Sequence, residues 1–294
     1  MRLKAPMLAL LCAQALFAAW GLVARSVPLP IWPLVTVMAL AGYLTTAVRA
    51  RSWAWPIPPM AWGAGINLAM DTALLVLAYR RLPLAVAITL HYLGPLLVPF
   101  LAPRTLGEHG AHRQIGWALL GVSGAVLVAA PHWTALNVTG VAAALASAFT
   151  LAGNTLWQKR RLQAAPQPDP ARAVAEYNLV LAGVAALVWG VSDPSGLSTT
   201  GWAPWALAAL AGIAIQGLAL LLYNTALARL PGTVVAVAST SEIAFVALFG
   251  VVVYHETLTV FQVLGLALIG GVVWALRRAE NQKLSSVRIV PESA

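Results

Sequence analysis

The chain has 294 residues, 60 % of them apolar and 9 % charged, with a net charge of +9 and a mean hydropathy of +0.81. No soluble globular fold of this length buries so much apolar surface, so the solvent around it is lipid. The basic balance does not make it a nucleic-acid binder, because no segment outside the membrane is long enough to form a binding module. A single cysteine, Cys12, excludes an intrachain disulfide framework.

Ten apolar segments have the length of roughly 20 residues that a spanning helix needs. The first, 6–24, follows Arg2 and Lys4; it is long for a signal core and lacks a small-residue cleavage motif before Arg25, so it reads as a retained helix. Next come 31–48, 60–79, 83–102 and 114–131, then 138–157, 174–191, 203–227, 233–253 and 259–276. Most connections are short. Residues 158–173, with three prolines and four basic residues, read as a linker, and the halves join near 132–137. The expectation is an all-α membrane protein of ten transmembrane helices in two five-helix repeats, 1–135 and 136–277, with a cytoplasmic tail at 278–294.

The repeat is visible directly. Arg81-Leu82-Pro83 recurs as Arg229-Leu230-Pro231, 148 positions later, and Glu108 falls on Glu256 at the same offset. With one residue gained in the next loop, Ile115-Gly116 and Gly121 match Leu264-Gly265 and Gly270. An odd number of spans per copy inverts the second copy relative to the first, the arrangement common among secondary transporters. Fifteen of the 18 Lys and Arg fall on the N-terminal side of the membrane, leaving Arg25, Arg80 and Arg81 opposite. By the positive-inside rule both termini are expected in the cytoplasm.

Polar groups at membrane depth are costly and tend to face a cavity or a partner. Asp71 in the third span, His91 in the fourth and Glu242 in the ninth fall near mid-membrane, and Asn67 shares a helix face with Asp71. Gln14, Asn154, Asn178, Gln216 and Asn224 are further candidates. Asp71 either lines a cavity or pairs with His91 to hold the bundle. Pro95 deprives the His91 carbonyl of its helical partner, so a kink is expected beside His91 and Tyr92; Pro99 repeats the effect one turn on. The repeat partner, Val237 to Ile243, carries hydroxyls and a carboxylate instead. Glu108 and Glu256, at span ends, read as solvated or capping residues. No HExxH, GxSxG or Walker-type loop occurs, so an enzyme or nucleotide-driven pump is not expected, nor are a cofactor or metal.

Leu93-Gly94-Pro95-Leu96-Leu97 followed by Gly107-Glu108, and Ser241-Glu242-Ile243-Ala244 followed by His255-Glu256, resemble the paired EamA-type signature of the drug/metabolite transporter superfamily. Two positions depart from it: Ile243 stands where a proline is usual, and His255 where a glycine is usual, which leaves a kink in the ninth span without support. The resemblance implies a carrier of the bacterial inner membrane, commonly an exporter of amino acids or related metabolites. The expected site comprises Asn67, Asp71, His91, Tyr92, Gln216, Tyr223 and Glu242, lining one cavity that works by alternating access. A carboxylate would meet a substrate ammonium, and Asn67, Gln216 or protonated His91 its carboxylate; protons are candidate coupling ions. Export of drugs, amines or nucleosides is the alternative within carriers, and a channel or intramembrane enzyme the alternative outside them.

Overall fold

The computed structural model describes residues 4–108, 112–130, 136–192, 201–255 and 257–287, and the secondary structure of these residues is helical. The helices are α1 (Ala5–Ser26), α2 (Ile31–Ala50), α3 (Pro59–Arg81), α4 (Leu84–Thr105), a shorter apolar α5 (Gln114–Ala129), α6 (Val138–Gln163), α7 (Pro170–Ser192), α8 (Trp202–Arg229), α9 (Gly232–Phe249) and α10 (Val260–Ala279). Nine of them, all but α5, are long and apolar enough to cross a membrane. The helices of α9 and α10 continue to Tyr254 and Val287.

The bounds follow the sequence reading closely except at 158–173 and at the end of α10, which runs to Val287 through residues read as a tail. Helix α6 runs on to Gln163, and the connection shrinks to the short stretch before Pro170. Burial of Gln158, Lys159 and Leu162 extends the helix through residues whose composition reads as loop. The Asp169 carboxylate then accepts the Ala171 N–H at 2.9 Å, and Pro170 opens α7 at the position where a missing N–H costs nothing.

Helix packing is paired. The α3 helix lies along α6 as α1 lies along α8; α3 meets α7 as α8 meets α2; α2 meets α7, and α5 meets α10. Lipid tails are as apolar as leucine, so close backbone approach holds such helices together. At Gly212 a methyl group would overlap the Met38 carbonyl, which is why α8 can press onto α2 there.

The buried apolar side chains form two large clusters. One includes Leu10, Leu68, Tyr177, Leu227 and Val237. The other includes Trp20, Leu75, Ile88, Ile215 and Ile243. Along α1, α3, α8 and α9, the buried polar residues Gln14, Asp71, Gln216 and Glu242 sit where one cluster gives way to the other. On these helices the fold thus sets a level of buried polar groups between two apolar layers.

Candidate functional site

Helix α4 breaks as the prolines dictate. It is helical over Leu84–His91, tightens to a 3₁₀ turn at Gly94–Leu96 and resumes at Val98. The backbone switches to three-residue bonds, with Leu93 N–H donating to Leu90 O at 3.2 Å and Leu97 N–H to Gly94 O at 2.8 Å. A methyl group at Gly94 would overlap the Ala148 carbonyl, so glycine lets the broken segment rest directly on α6.

Helix α9 breaks at the corresponding level without a proline. Residues Gly232–Ala238 and Ser241–Tyr254 are separate helices. Between them Thr240, Glu242 and Ile243 donate to Val237, Ser239 and Thr240 carbonyls over three residues, at 3.0–3.2 Å. Hydroxyls supply the alternative bonding: Ser239 Oγ donates to Val235 O at 2.9 Å and Thr240 Oγ1 to Val237 O at 2.8 Å. Side chains of this kind compete with the helical ladder for backbone carbonyls. The missing proline therefore does not straighten α9.

The two breaks face one central cavity. It is lined by Phe17 and Trp20 of α1, Asp71 of α3, His91, Tyr92 and Pro95 of α4, Asn154, Thr155 and Gln158 of α6, Gln216 and Tyr223 of α8, and Ser239 and Glu242 of α9, among others. Six of the seven expected site residues meet there. Asn67 does not: its amide donates to Thr150 O at 2.8 Å and to Asn154 Oδ1 at 2.7 Å. That bond turns the Asn154 amide nitrogen towards Asp71, which it reaches at 2.9 Å.

Asp71 is 7 % exposed and well satisfied. Besides Asn154 it accepts from Thr150 Oγ1 at 2.6 Å, and His91 Nδ1 lies 3.9 Å away. His91 Nδ1 is 2.9 Å from Ser147 Oγ, and the Ser147 hydroxyl spends its proton on Ala144 O at 2.7 Å. The bonding assigns the ring proton to Nδ1 and leaves Nε2 an acceptor.

Glu242 is bound differently. Tyr92 Oη donates to its Oε2 at 2.7 Å and lies 3.1 Å from Gln14 Oε1, while Gln14 Nε2 donates to Ser239 Oγ at 3.1 Å. This network ties α1 and α4 to α9. Among the described residues, the other oxygen of Glu242, Oε1, makes no hydrogen bond.

Gln216 occupies a π-helical stretch of α8, Gly212–Ala219. Such insertions disturb the regular ladder and frequently mark functional positions. Its carbonyl accepts from Asn178 Nδ2 at 2.8 Å, which accounts for Asn178 outside the cavity. Gln216 is 6 % exposed, and its side-chain amide lines the cavity with no hydrogen-bond partner among the described residues. Asn224 supports the wall, donating to Gln158 Oε1 at 2.9 Å. Tyr223 Oη meets Thr155 Oγ1 at 2.9 Å and its ring meets Phe17 edge-on.

The α6 contributors Ser147, Thr150, Thr155 and Gln158 escape the sequence reading. A hydroxyl in an alanine-rich helix bonds its own preceding turn at little cost and leaves no trace in the hydropathy pattern. The lining holds two carboxylates and no Lys or Arg among the described residues, so it is suited to a group bearing positive charge. Within the described residues no cluster of His, Cys, Asp or Glu is arranged for a metal ion.

Residues 138–277 match the model of the EamA-like transporter family. No curated protein matches the chain. A solved structure, titled only as the crystal structure of a protein, is 20 % identical and superposes with a TM-score of 0.77, covering 96 % of this chain and 99 % of its own. At that identity the likeness speaks for the fold alone. Residues 138–277 thus form an EamA-like transporter family domain, which implies a membrane transporter of small solutes, and the helical, membrane-spanning architecture of the chain supports the drug/metabolite transporter superfamily.

Proposed function

We propose that the protein exports amino acids across the bacterial inner membrane by alternating access. In this reading its two inverted repeats, 1–135 and 136–277, carry both termini, and the tail at 278–294, in the cytoplasm. The observation that carries the proposal is the pairing, in one cavity, of a carboxylate oxygen without a partner on Glu242 and an amide without a partner on Gln216. An amino acid presents the complements of both: an ammonium for Glu242 and a carboxylate for the Gln216 N–H groups. Phe17, Trp20, Tyr92 and Tyr223 supply apolar surface for the side chain. Asp71 acts one step back, ordering Thr150, Asn154 and His91. Asp71, His91 and Glu242 are the groups available to carry a coupled proton, since burial and neighbours tune such side chains.

The test is counterflow in proteoliposomes loaded with unlabelled amino acids and offered labelled ones. Saturable exchange supports the reading; no exchange with any amino acid, by folded protein, rejects it. A second reading, export of an organic amine or cationic drug, is favoured by the two carboxylates and the absence of Lys and Arg from the described lining. Counterflow with amines in the same vesicles separates the two.

A further inference from the structure

The corner where one helix turns into the next occurs twice. Near the start of the second repeat's broken helix, Lys159 Nζ donates to Leu227 O at 2.7 Å and Leu230 O at 2.8 Å, closing the end of α8. Near the start of α4, Arg25 donates to Tyr79 O and Leu82 O, closing the end of α3. Leu227 and Leu230 lie 148 positions after Tyr79 and Leu82, so the two cations hold equivalent carbonyls. A cation at a helix C-terminus is favourable on both counts, charge and hydrogen bonding.

Past this point the described residues show the Lys159 corner in more detail, since Glu256, the counterpart of Glu108, lies outside them. Beside Lys159, the Glu108 carboxylate reaches across from the end of α4 and takes the first donors of α9. It accepts from Gly232 N–H at 2.5 Å, Thr233 N–H at 3.1 Å and Thr233 Oγ1 at 3.0 Å. The corner is filled: a methyl group at Gly232 would meet Leu106, Glu108 and the Lys159 stem. Beside Arg25, a crevice of about 330 Å³ lies among α1, α4 and α9, lined by Leu22, Leu84, Ala85, Ile243, Ala247 and others.

We propose that Glu108 is a gate residue of the transport cycle. It is a positioning residue outside the cavity, whose grip on the first donors of α9 holds the protein closed on the Lys159 face. The segment it grips, Gly232–Ala238, leads directly to Ser239 and Glu242, so releasing it frees the element that carries the site. A carboxylate at these donors is held by charge as well as by geometry. Glutamine, with the same shape, offers one acceptor and turns two donors of its own towards the N–H groups. The proposal rests on the alternating-access reading above.

The experiment uses the full chain with Cys12→Ala and Ala236→Cys, which places the single thiol on the cavity wall. A membrane-impermeant maleimide is applied from each face of oriented vesicles, with and without Glu108→Gln. The expected result is labelling from the Glu108 face that rises about tenfold, which corresponds to a shift of about 1.4 kcal/mol in the equilibrium between states. Unchanged labelling from that face overturns the proposal, whatever happens to stability. If Glu108→Gln fails to fold, Thr233→Val removes one of the three donors without loss of volume and is expected to give a smaller rise in the same direction. No rise with that variant also overturns it. Labelling needs no substrate, so a shift in labelling with no exchange of any amino acid supports the gate while rejecting the substrate reading.

Discussion

The fourth and ninth helices break at the same level of the two halves, and they do so by different chemistry. In α4, Pro95 removes a donor and the backbone follows. In α9, Ile243 stands at the equivalent position and still has its N–H, yet it donates to Thr240 O over three residues. The break there is maintained by Ser239 and Thr240 hydroxyls and by the Gln14 bond to Ser239. The level of the break thus belongs to the architecture, and each half meets it with the residues it has. The exchange also separates roles: Gly94 gives close contact with α6, whereas its counterpart Glu242 gives a carboxylate facing the cavity.

The largest effect expected from breaking this comparison is at Glu242. Replacement by Gln keeps the shape and removes the charge. Loss of a charge-assisted contact of ~1.5–3 kcal/mol corresponds to a fall of roughly 10- to 100-fold in counterflow at low substrate. Unchanged counterflow would remove Glu242 from the site. At the equivalent Gly94, substitution by Ala acts on the fold instead. Overlap with the Ala148 carbonyl is expected to cost ~1–3 kcal/mol, read as a lower thermal midpoint in detergent. A midpoint equal to the parent's would show that α4 can draw away from α6.

Pro95→Ala sharpens the contrast further. It returns an N–H to the His91 carbonyl, and α4 has no serine or threonine at residues 91–94 to keep the break open. Transport is expected to fall about tenfold, the equivalent of ~1.4 kcal/mol, while the thermal midpoint holds or rises. A lowered midpoint with full transport would contradict this. The smallest effect is expected from the reciprocal change, Ile243→Pro. Proline inside an intact helix costs ~3 kcal/mol or more. Here the helix is already broken, so the midpoint and counterflow should move much less than that cost implies. Unfolding of this variant would mean that the Ile243 bond to Thr240 is essential to α9.

Much of the fold is legible in the sequence because lipid imposes a simple rule: a helix that satisfies its own backbone must present about 20 apolar residues. The ten segments, the 148-residue recurrence and the break at Pro95 all follow from local composition and spacing. Burial of Asp71, His91 and Glu242 near mid-span was readable in the same way. Glu256, the sequence partner of Glu108, lies outside the described residues.

Local rules end where one helix meets another. Asn67 and Asp71 share a face by helical period, but only packing against α6 decides that Asn67 serves Asn154 while Asp71 reaches the cavity wall. Gln216 reads as one polar residue among several until the fold places it, within a π-helical stretch, on the cavity wall. Lys159 and Arg25 look like topological charges and prove to be caps on helices reached only through the fold. The reason is physical. Hydropathy and period set what each helix is and which face is polar, whereas the partner of a buried polar group is chosen by the three-dimensional contact that removes it from lipid.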